Sequence, residues 1–236
     1  MEREAVVDER TLLRDALARS QGQVRLGDIH SAFKARVRSN EFVRVEGKSD
    51  TERLFTTAQV LAYERENLST IARGQDLKEP LVRAGTLRSL EKEFGKLTVA
   101  QGRAATEILE SRDRITGFQG VAGAGKTTAL AAVRRAAETD SYQVEGFAPT
   151  SRAAQQLEGA GIPSTTLQHF LARSKHPDSE LKHLYVVDES SLVSTKQVHQ
   201  FLKHLGPSDR VLLVGDIRQH QAVEAGRPFQ QMQKQV

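Results

Sequence analysis

Residues 120–127, Gly-Val-Ala-Gly-Ala-Gly-Lys-Thr, carry the spacing G-x-x-x-x-G-K-[ST]. Gly120, Gly123 and Gly125, with the small Ala124 between, let backbone N–H groups turn inward around phosphate oxygens. Lys126 can reach the β- and γ-phosphates of a nucleotide, and the Thr127 hydroxyl can hold a divalent cation. With Thr128, these residues open a helix whose first N–H groups have no partner within the helix and favour an anion. The flanks suit this chemistry. Ile115 to Gln119 has the length and apolarity of a buried strand entering the loop, and Thr128 to Ala137 is an alanine-rich helix leaving it.

A second constellation lies downstream. Leu184-Tyr-Val-Val-Asp188-Glu189 is an apolar, β-rich run ending in two adjacent carboxylates. A buried parallel strand ends this way where its C-terminal tip meets a ligand. Asp188 can bind Mg²⁺ or its water shell, and Glu189 can orient or deprotonate an attacking water. The competing role is to cap the next helix, marked by Val198, Phe201, Leu202 and Leu205, but Ser194 is the closer cap. Arg210 to Val214 forms another strand, ending in Gly215-Asp216-Ile-Arg-Gln219. Gln219 at that tip could sense a γ-phosphate, although Gly-Asp after a strand is also ordinary turn chemistry.

Three further positions admit both structural and functional roles. Thr98 with Gln101 forms a capping box for a helix with Ala104, Ala105, Ile108 and Leu109 on its apolar face. The Gln101 amide also offers the donor and acceptor that the polar edge of adenine requires. Thr150, Ser151 and Arg152 open a short helix after the strand Tyr142 to Ala148; their hydroxyls can cap the helix or meet a phosphate. Pro163 to Thr166 reads as a turn, followed by a short helix, Leu167 to Ala172, that carries His169.

The elements preceding these motifs form a separate pattern. Residues 9–19 give an amphipathic helix, Val24 to Leu26 a brief strand, and Asp28 an N-cap for a second helix with Ile29, Phe33 and Val37 on one face. Phe42 to Val45 and Arg53 to Thr56 pair as a hairpin through a turn at Gly47 to Asp50. Helix, helix, hairpin is the outline of a winged-helix module. Lys34, Arg36, Arg38 and Arg44 are a local basic cluster, as fit to be a solvated face as a nucleic-acid contact. A longer helix covers 57–73, with a break at Gly74 to Pro80. The expected organisation is therefore a small, mostly helical α+β domain over 1–80, a polar connector over 81–96, and a P-loop α/β domain over 97–236.

Composition sets outer bounds. The 236 residues are 38% hydrophobic and 27% charged, a folded-protein balance, and the net charge of +4 leans towards an anionic partner. No apolar run is long enough to span a membrane, so no membrane insertion is expected. The charged N-terminus is unlike a signal peptide, and the absence of cysteine suits a cytoplasmic location and excludes thiolate metal sites.

Taken together, the motifs resemble superfamily 1 DNA helicases of the RecD-like branch. LTVAQ (97–101) resembles the family's adenine-reading Q motif, GVAGAGKTT (120–128) motif I, APTSRAA (148–154) motif Ia and TTLQHFL (165–171) the next DNA-contact motif. VVDESSLVS (186–194) resembles motif II and VGDIRQHQAVEAGRPF (214–229) motif III. RecD-type repair enzymes usually carry Leu-Pro after the motif III glutamine. The His220-Gln221 found here is instead similar to conjugative relaxase–helicases of the TraI/TrwC type, and LFTTAQVLAYERENL (54–68) is similar to what precedes their helicase core.

The resemblance implies a RecA-like parallel sheet in which the strand leading to Gln219 lies between the phosphate-loop and Asp188 strands. It implies ATP and Mg²⁺ as cofactors, with Gln101 on adenine, Lys126 and Thr127 on phosphate and metal, Asp188 on the metal, Glu189 on the water and Gln219 on the γ-phosphate. Thr150, Ser151, Arg152, Thr166 and His169 would line a single-stranded DNA track. The second RecA-like domain, with its arginine finger, would follow beyond this stretch, so the stretch alone is expected to bind ATP weakly and not to unwind DNA. The relaxase domain would lie elsewhere in the polypeptide. A RecD-like repair helicase, or a module recruited to the conjugation machinery, are the alternative functions.

Overall fold

The computed structural model describes residues 6–46, 52–86, 97–119, 125–173 and 181–215. The chain opens with β1 (Val7–Asp8), α1 (Glu9–Arg19) and α2 (Leu26–Arg38), then β2 (Phe42–Val45) and β3 (Leu54–Thr57). The Asp8 carboxylate accepts from the N–H groups of Arg10 and Thr11 and so starts α1. Phe33, the buried anchor of α2, packs edge-on against Phe55 with ring centroids 5.0 Å apart and lies 5.8 Å from Phe42. Helix, helix and paired strands form as expected, the turn at Gly47 to Asp50 lying outside the described residues, with the addition of β1, which pairs Val7 with Phe55. The resulting antiparallel sheet has the order β1-β3-β2.

Two local expectations for this region are corrected. Val24 to Leu26 is not a strand, because Leu26 already begins α2. Val24 and Leu26 are 40% and 53% exposed, with Arg25 between them, so no buried face holds this stretch against the sheet. Arg25, not Asp28, is the N-cap; Asp28 sits in the first turn, where its charge complements the helix dipole.

Next comes α3 (Ala58–Arg73), capped by the hydroxyl of Thr57, which is also the last residue of β3. The larger unit runs α4 (Val99–Glu110), β4 (Ile115–Gln119), α5 (Lys126–Thr139), β5 (Tyr142–Ala148) and α6 (Ser151–Gly159). It continues with β6 (Ser164–Thr166), α7 (Leu167–Ala172), β7 (Lys182–Val187), a 3-10 turn (Ser190–Leu192), α8 (Thr195–Lys203) and β8 (Arg210–Gly215). All five strands are parallel, in the order β4-β8-β7-β5-β6. This is the RecA-like P-loop α/β sheet flanked by helices, with β8 between the phosphate-loop strand and the Asp188 strand.

The period of two along the strands explains both helical layers. Leu184 and Val186 of β7 and Leu212 and Val214 of β8 face a core shared with Leu109, Val133 and Leu157. Tyr185, Val187, Val211 and Leu213 face the opposite core with Phe147, Phe201 and Ile71. Fully burying one such side chain is worth roughly 1.5–3 kcal/mol, so these alternating runs dominate the sheet's stability.

The expected turn at Pro163 to Thr166 is instead the edge strand β6, pairing Gly146 to Ala148 with Ser164 to Thr166. Three polar residues on a sheet edge show no alternation to mark them. Leu81 and Val82, within the stretch read as polar, are both 3% exposed and belong to the Leu109 core. Among the described residues no helix is long and apolar enough to cross a membrane.

Candidate functional site

Parallel strands place the ends of β4, β5, β7 and β8 at one rim, and the sequence motifs collect there. Gly125 is the N-cap of α5 in the left-handed region, φ +72° and ψ 34°, which an L side chain adopts only under strain. A Cβ at 125 would also collide with the amide nitrogen of Gln101. The left-handed backbone is what calls for glycine here, since the end of the Gln101 side chain could move aside. Lys126 and Thr127 follow in the first turn of α5, with Thr127 and Thr128 exposed and Lys126 half-buried. Gly120, Gly123, Ala124 and Gln219 lie outside the described residues.

Gln101 fills its anticipated capping role and makes a second contact that the sequence did not announce. Its Oε1 accepts from Thr98 N at 3.0 Å, completing the capping box with Thr98 Oγ1, while its Nε2 donates to Gly125 O at 3.3 Å. The start of α4 is thereby tied to the exit of the phosphate loop.

Asp188 and Glu189 lie just past β7. Asp188 N donates to Phe147 O at 2.9 Å, which continues the ladder and fixes the carboxylate at the rim. Asp188 Oδ1 accepts from Glu189 N at 2.8 Å. Burial pushes the Asp188 carboxyl above the usual carboxylate range, while the Glu189 N–H and the charge of Lys126 pull it back. Lys126 and Asp188 thus interact electrostatically across the strand order β4-β8-β7. Glu189 is itself left-handed, φ +47° and ψ 36°, an uncommon conformation for a non-glycine residue and one that clusters at functional sites. Neither acid caps α8: Ser194 does so, in a capping box with Gln197.

Ser190, which sequence reasoning passed over, is 4% exposed and donates from Oγ to Val214 O at 2.8 Å. It ties the turn after Glu189 to the end of β8. Its only sequence signal is a small hydroxyl directly after the acidic pair.

The positions expected along a DNA track fall on the same rim. Thr150 Oγ1 accepts from Ala153 N and Thr166 Oγ1 accepts from His169 N, both at 3.2 Å, so both threonines are helix caps. Each hydroxyl keeps its own hydrogen to donate. Ser151, Arg152 and His169 are exposed, and His169 Nδ1 pairs with Thr165 Oγ1 at 2.9 Å. In the N-terminal cluster, Arg36 lies 3.6 Å from Glu41 and over the Phe42 ring, while Lys34, Arg38 and Arg44 are exposed.

The rim's donor set fits a nucleoside triphosphate with a divalent ion: an ammonium and a hydroxyl on the first turn of a helix, beside a desolvated carboxylate. Residues 96–236 match the family model described as AAA domain. The chain belongs to this family.

Relatives of this AAA domain are conjugative and RecD-type proteins, in agreement with the resemblance carried by the motifs. The chain is 34% identical over 185 residues to the multifunctional conjugation protein TraI of Escherichia coli (strain K12), covering 73% of this chain and 10% of that protein. It is 36% identical over 152 residues to a probable conjugal transfer protein TraA of Sinorhizobium fredii, covering 63% and 14%. It is 34% identical over 123 residues to an ATP-dependent RecD2 DNA helicase of Deinococcus radiodurans, covering 49% and 17%. The AAA domain and its N-terminal unit therefore correspond to a minor part of each relative's length.

Proposed function

We propose that this chain binds ATP with Mg²⁺ and hydrolyses it to drive 5′–3′ movement on single-stranded DNA, as the motor region of a cytoplasmic conjugative relaxase–helicase. Lys126 and the first-turn N–H groups of α5 hold the phosphates, Thr127 and Asp188 hold the metal, and Gln101 reads the adenine. The metal, when bound, neutralises phosphate charge and polarises the bond that breaks. Glu189 orients the attacking water and accepts its proton, and Gln219 senses the γ-phosphate. Thr150, Ser151, Arg152, Thr166 and His169 contact the strand's phosphates and sugars, which makes binding insensitive to base sequence. The partners are single-stranded DNA, a second RecA-like domain, a relaxase domain and the conjugation machinery.

The observation that carries this reading is the convergence of Lys126 with Asp188 on the rim that also holds Arg152 and His169. The TraI and TraA relatives favour the conjugative setting over the RecD-like repair setting. The test is steady-state ATP hydrolysis by the full-length gene product, with and without single-stranded DNA. Stimulation by DNA is expected, together with a loss of about 100-fold or more in Lys126→Ala. Glu189→Gln should retain nucleotide binding and lose turnover. Hydrolysis indifferent both to DNA and to Lys126→Ala would show that the motor reading is wrong.

A further inference from the structure

The N-terminal unit packs beside the rim through α3 lying against α8. Tyr63, Glu66, Asn67 and Ile71 lie on one stripe of α3, at i, i+3, i+4 and i+8, and the first three face the Thr195–His199–Lys203 stripe of α8. Tyr63 stacks on the His199 ring, with centroids 4.4 Å apart and planes inclined by 27°. Glu66 Oε2 lies 3.6 Å from His199 Nε2 and 3.7 Å from Lys203 Nζ. At the centre Asn67, 2% exposed, donates from Nδ2 to Thr195 O at 3.1 Å. Since a carbonyl can only accept, this contact fixes which way the amide points. Asn67 Oδ1 and Thr195 Oγ1 are both buried there without a hydrogen-bond partner. A buried amide of this kind costs stability that a leucine would not, so fold stability does not account for an asparagine at this position.

Each end of the contact is stiffly connected. Thr57 ends β3 and caps α3 with no intervening loop, so α3 is a direct extension of the N-terminal sheet. From Glu189 to Thr195 the chain has no glycine or proline. Leu192 N donates to Glu189 O, Val193 N to Ser190 O, and Ser194 with Gln197 closes the cap of α8. Gln197 Nε2 also donates to Gln168 Oε1 on α7, the helix that carries His169.

We propose that Asn67 is a positioning residue for the Asp188–Glu189 turn, and that the N-terminal unit acts on ATP turnover through the α3–α8 contact. The inference rests on the hydrolytic role assigned to Glu189. Asn67 holds the first turn of α8, α8 anchors the 3-10 turn, and that turn sets the left-handed backbone of Glu189. Displacing the N-terminal sheet therefore displaces the group that orients water, while Lys126 and α5 stay in place on the other side of β8.

The experiment compares Asn67→Ala and the near-isosteric Asn67→Leu with wild type in the full-length gene product. It measures kcat and KM for ATP, melting temperature, and stoichiometry and affinity for a fluorescent ATP analogue. Both variants should lose about five- to tenfold in kcat per nucleotide-binding site, with KM and analogue affinity changed less than about twofold. Asn67→Leu should do so with an unchanged or higher melting temperature. If kcat per binding site is unchanged in Asn67→Leu, or if KM rises in step with the kcat loss, the positioning role is overturned. A wild-type protein with no ATPase overturns the hydrolytic reading itself, a different result from an active enzyme indifferent to Asn67.

Discussion

The two ends of the parallel sheet hold their polar residues on opposite terms. Where the strands begin, the buried charges Arg210 and Asp209 have fixed partners. Arg210, 3% exposed, donates to Glu79 O at 2.9 Å and to Ser111 O at 2.7 Å. Asp209 accepts from Gly206 N and pairs with His183 Nδ1 at 3.2 Å, and Arg114 donates to Leu205 O and Gly206 O. Where the strands end, Asp188 is desolvated beside Lys126 and Glu189 takes a left-handed backbone. Groups at the first end are spent on structure, whereas those at the second hold a desolvated charge and an uncommon backbone at some cost in stability, as the ligand-binding role proposed for them requires. Residue type alone does not separate these roles; position along the strand does.

The comparison breaks most visibly if substitutions at the two ends have the same signature. Lys126→Ala should abolish turnover while leaving the melting curve in place. Arg210→Ala should cost about 3 kcal/mol in denaturant unfolding, because it strands buried carbonyls, with turnover per folded molecule preserved. Next in size, His183→Ala should cost roughly 2 kcal/mol by leaving Asp209 with fewer partners in the interior.

Asp188→Asn should move stability the other way. A carboxyl whose folded value is raised contributes full stability below its unfolded value, near 3.9, and loses it as pH rises through the folded value. Wherever Asp188 is ionised it is therefore a burden to the fold. The asparagine should stabilise the fold by about 0.5–1 kcal/mol in thermal or chemical melts while removing ATPase activity.

The smallest effects can be read from melting temperature against pH. Burial and Lys203 hold His199 below its usual range, with Glu66 opposing. Its contribution is full above about pH 6.5 and falls as pH drops through the folded value, a step that His199→Gln should remove. Burial raises Asp140, but the Arg83 N–H and guanidinium and the Thr86 hydroxyl more than offset this, leaving it below the usual carboxylate range. Its contribution is full above about pH 3.9 and fades as pH falls through the lowered folded value, a second step that Asp140→Asn should remove.

The parallel sheet was legible because its strands are bounded apolar runs with chemistry at their tips. Strand order was legible only through the motif resemblance, since periodicity carries no information about neighbours. The elements missed were those without periodic signal. β1 and β6 are short ladders held by their partners, and Leu81 and Val82 are two apolar residues in an otherwise polar stretch. At the site, residue types announced Lys126, Asp188 and Glu189. Nothing about Asn67 or Ser190 does so, because each acts through a backbone carbonyl of a distant element, Thr195 O and Val214 O.

Gln101 carries one further consequence. Its amide oxygen is engaged by Thr98 and its amide nitrogen by Gly125. Under the adenine role proposed for Gln101, a base must release or share those bonds, so choosing a nucleotide and holding the Gly125 carbonyl draw on one amide. On that proposal base preference is not a separable trait: a replacement at 101 that changes which nucleotide is accepted also releases the Gly125 carbonyl at the start of α5. Selectivity and this contact can change only together.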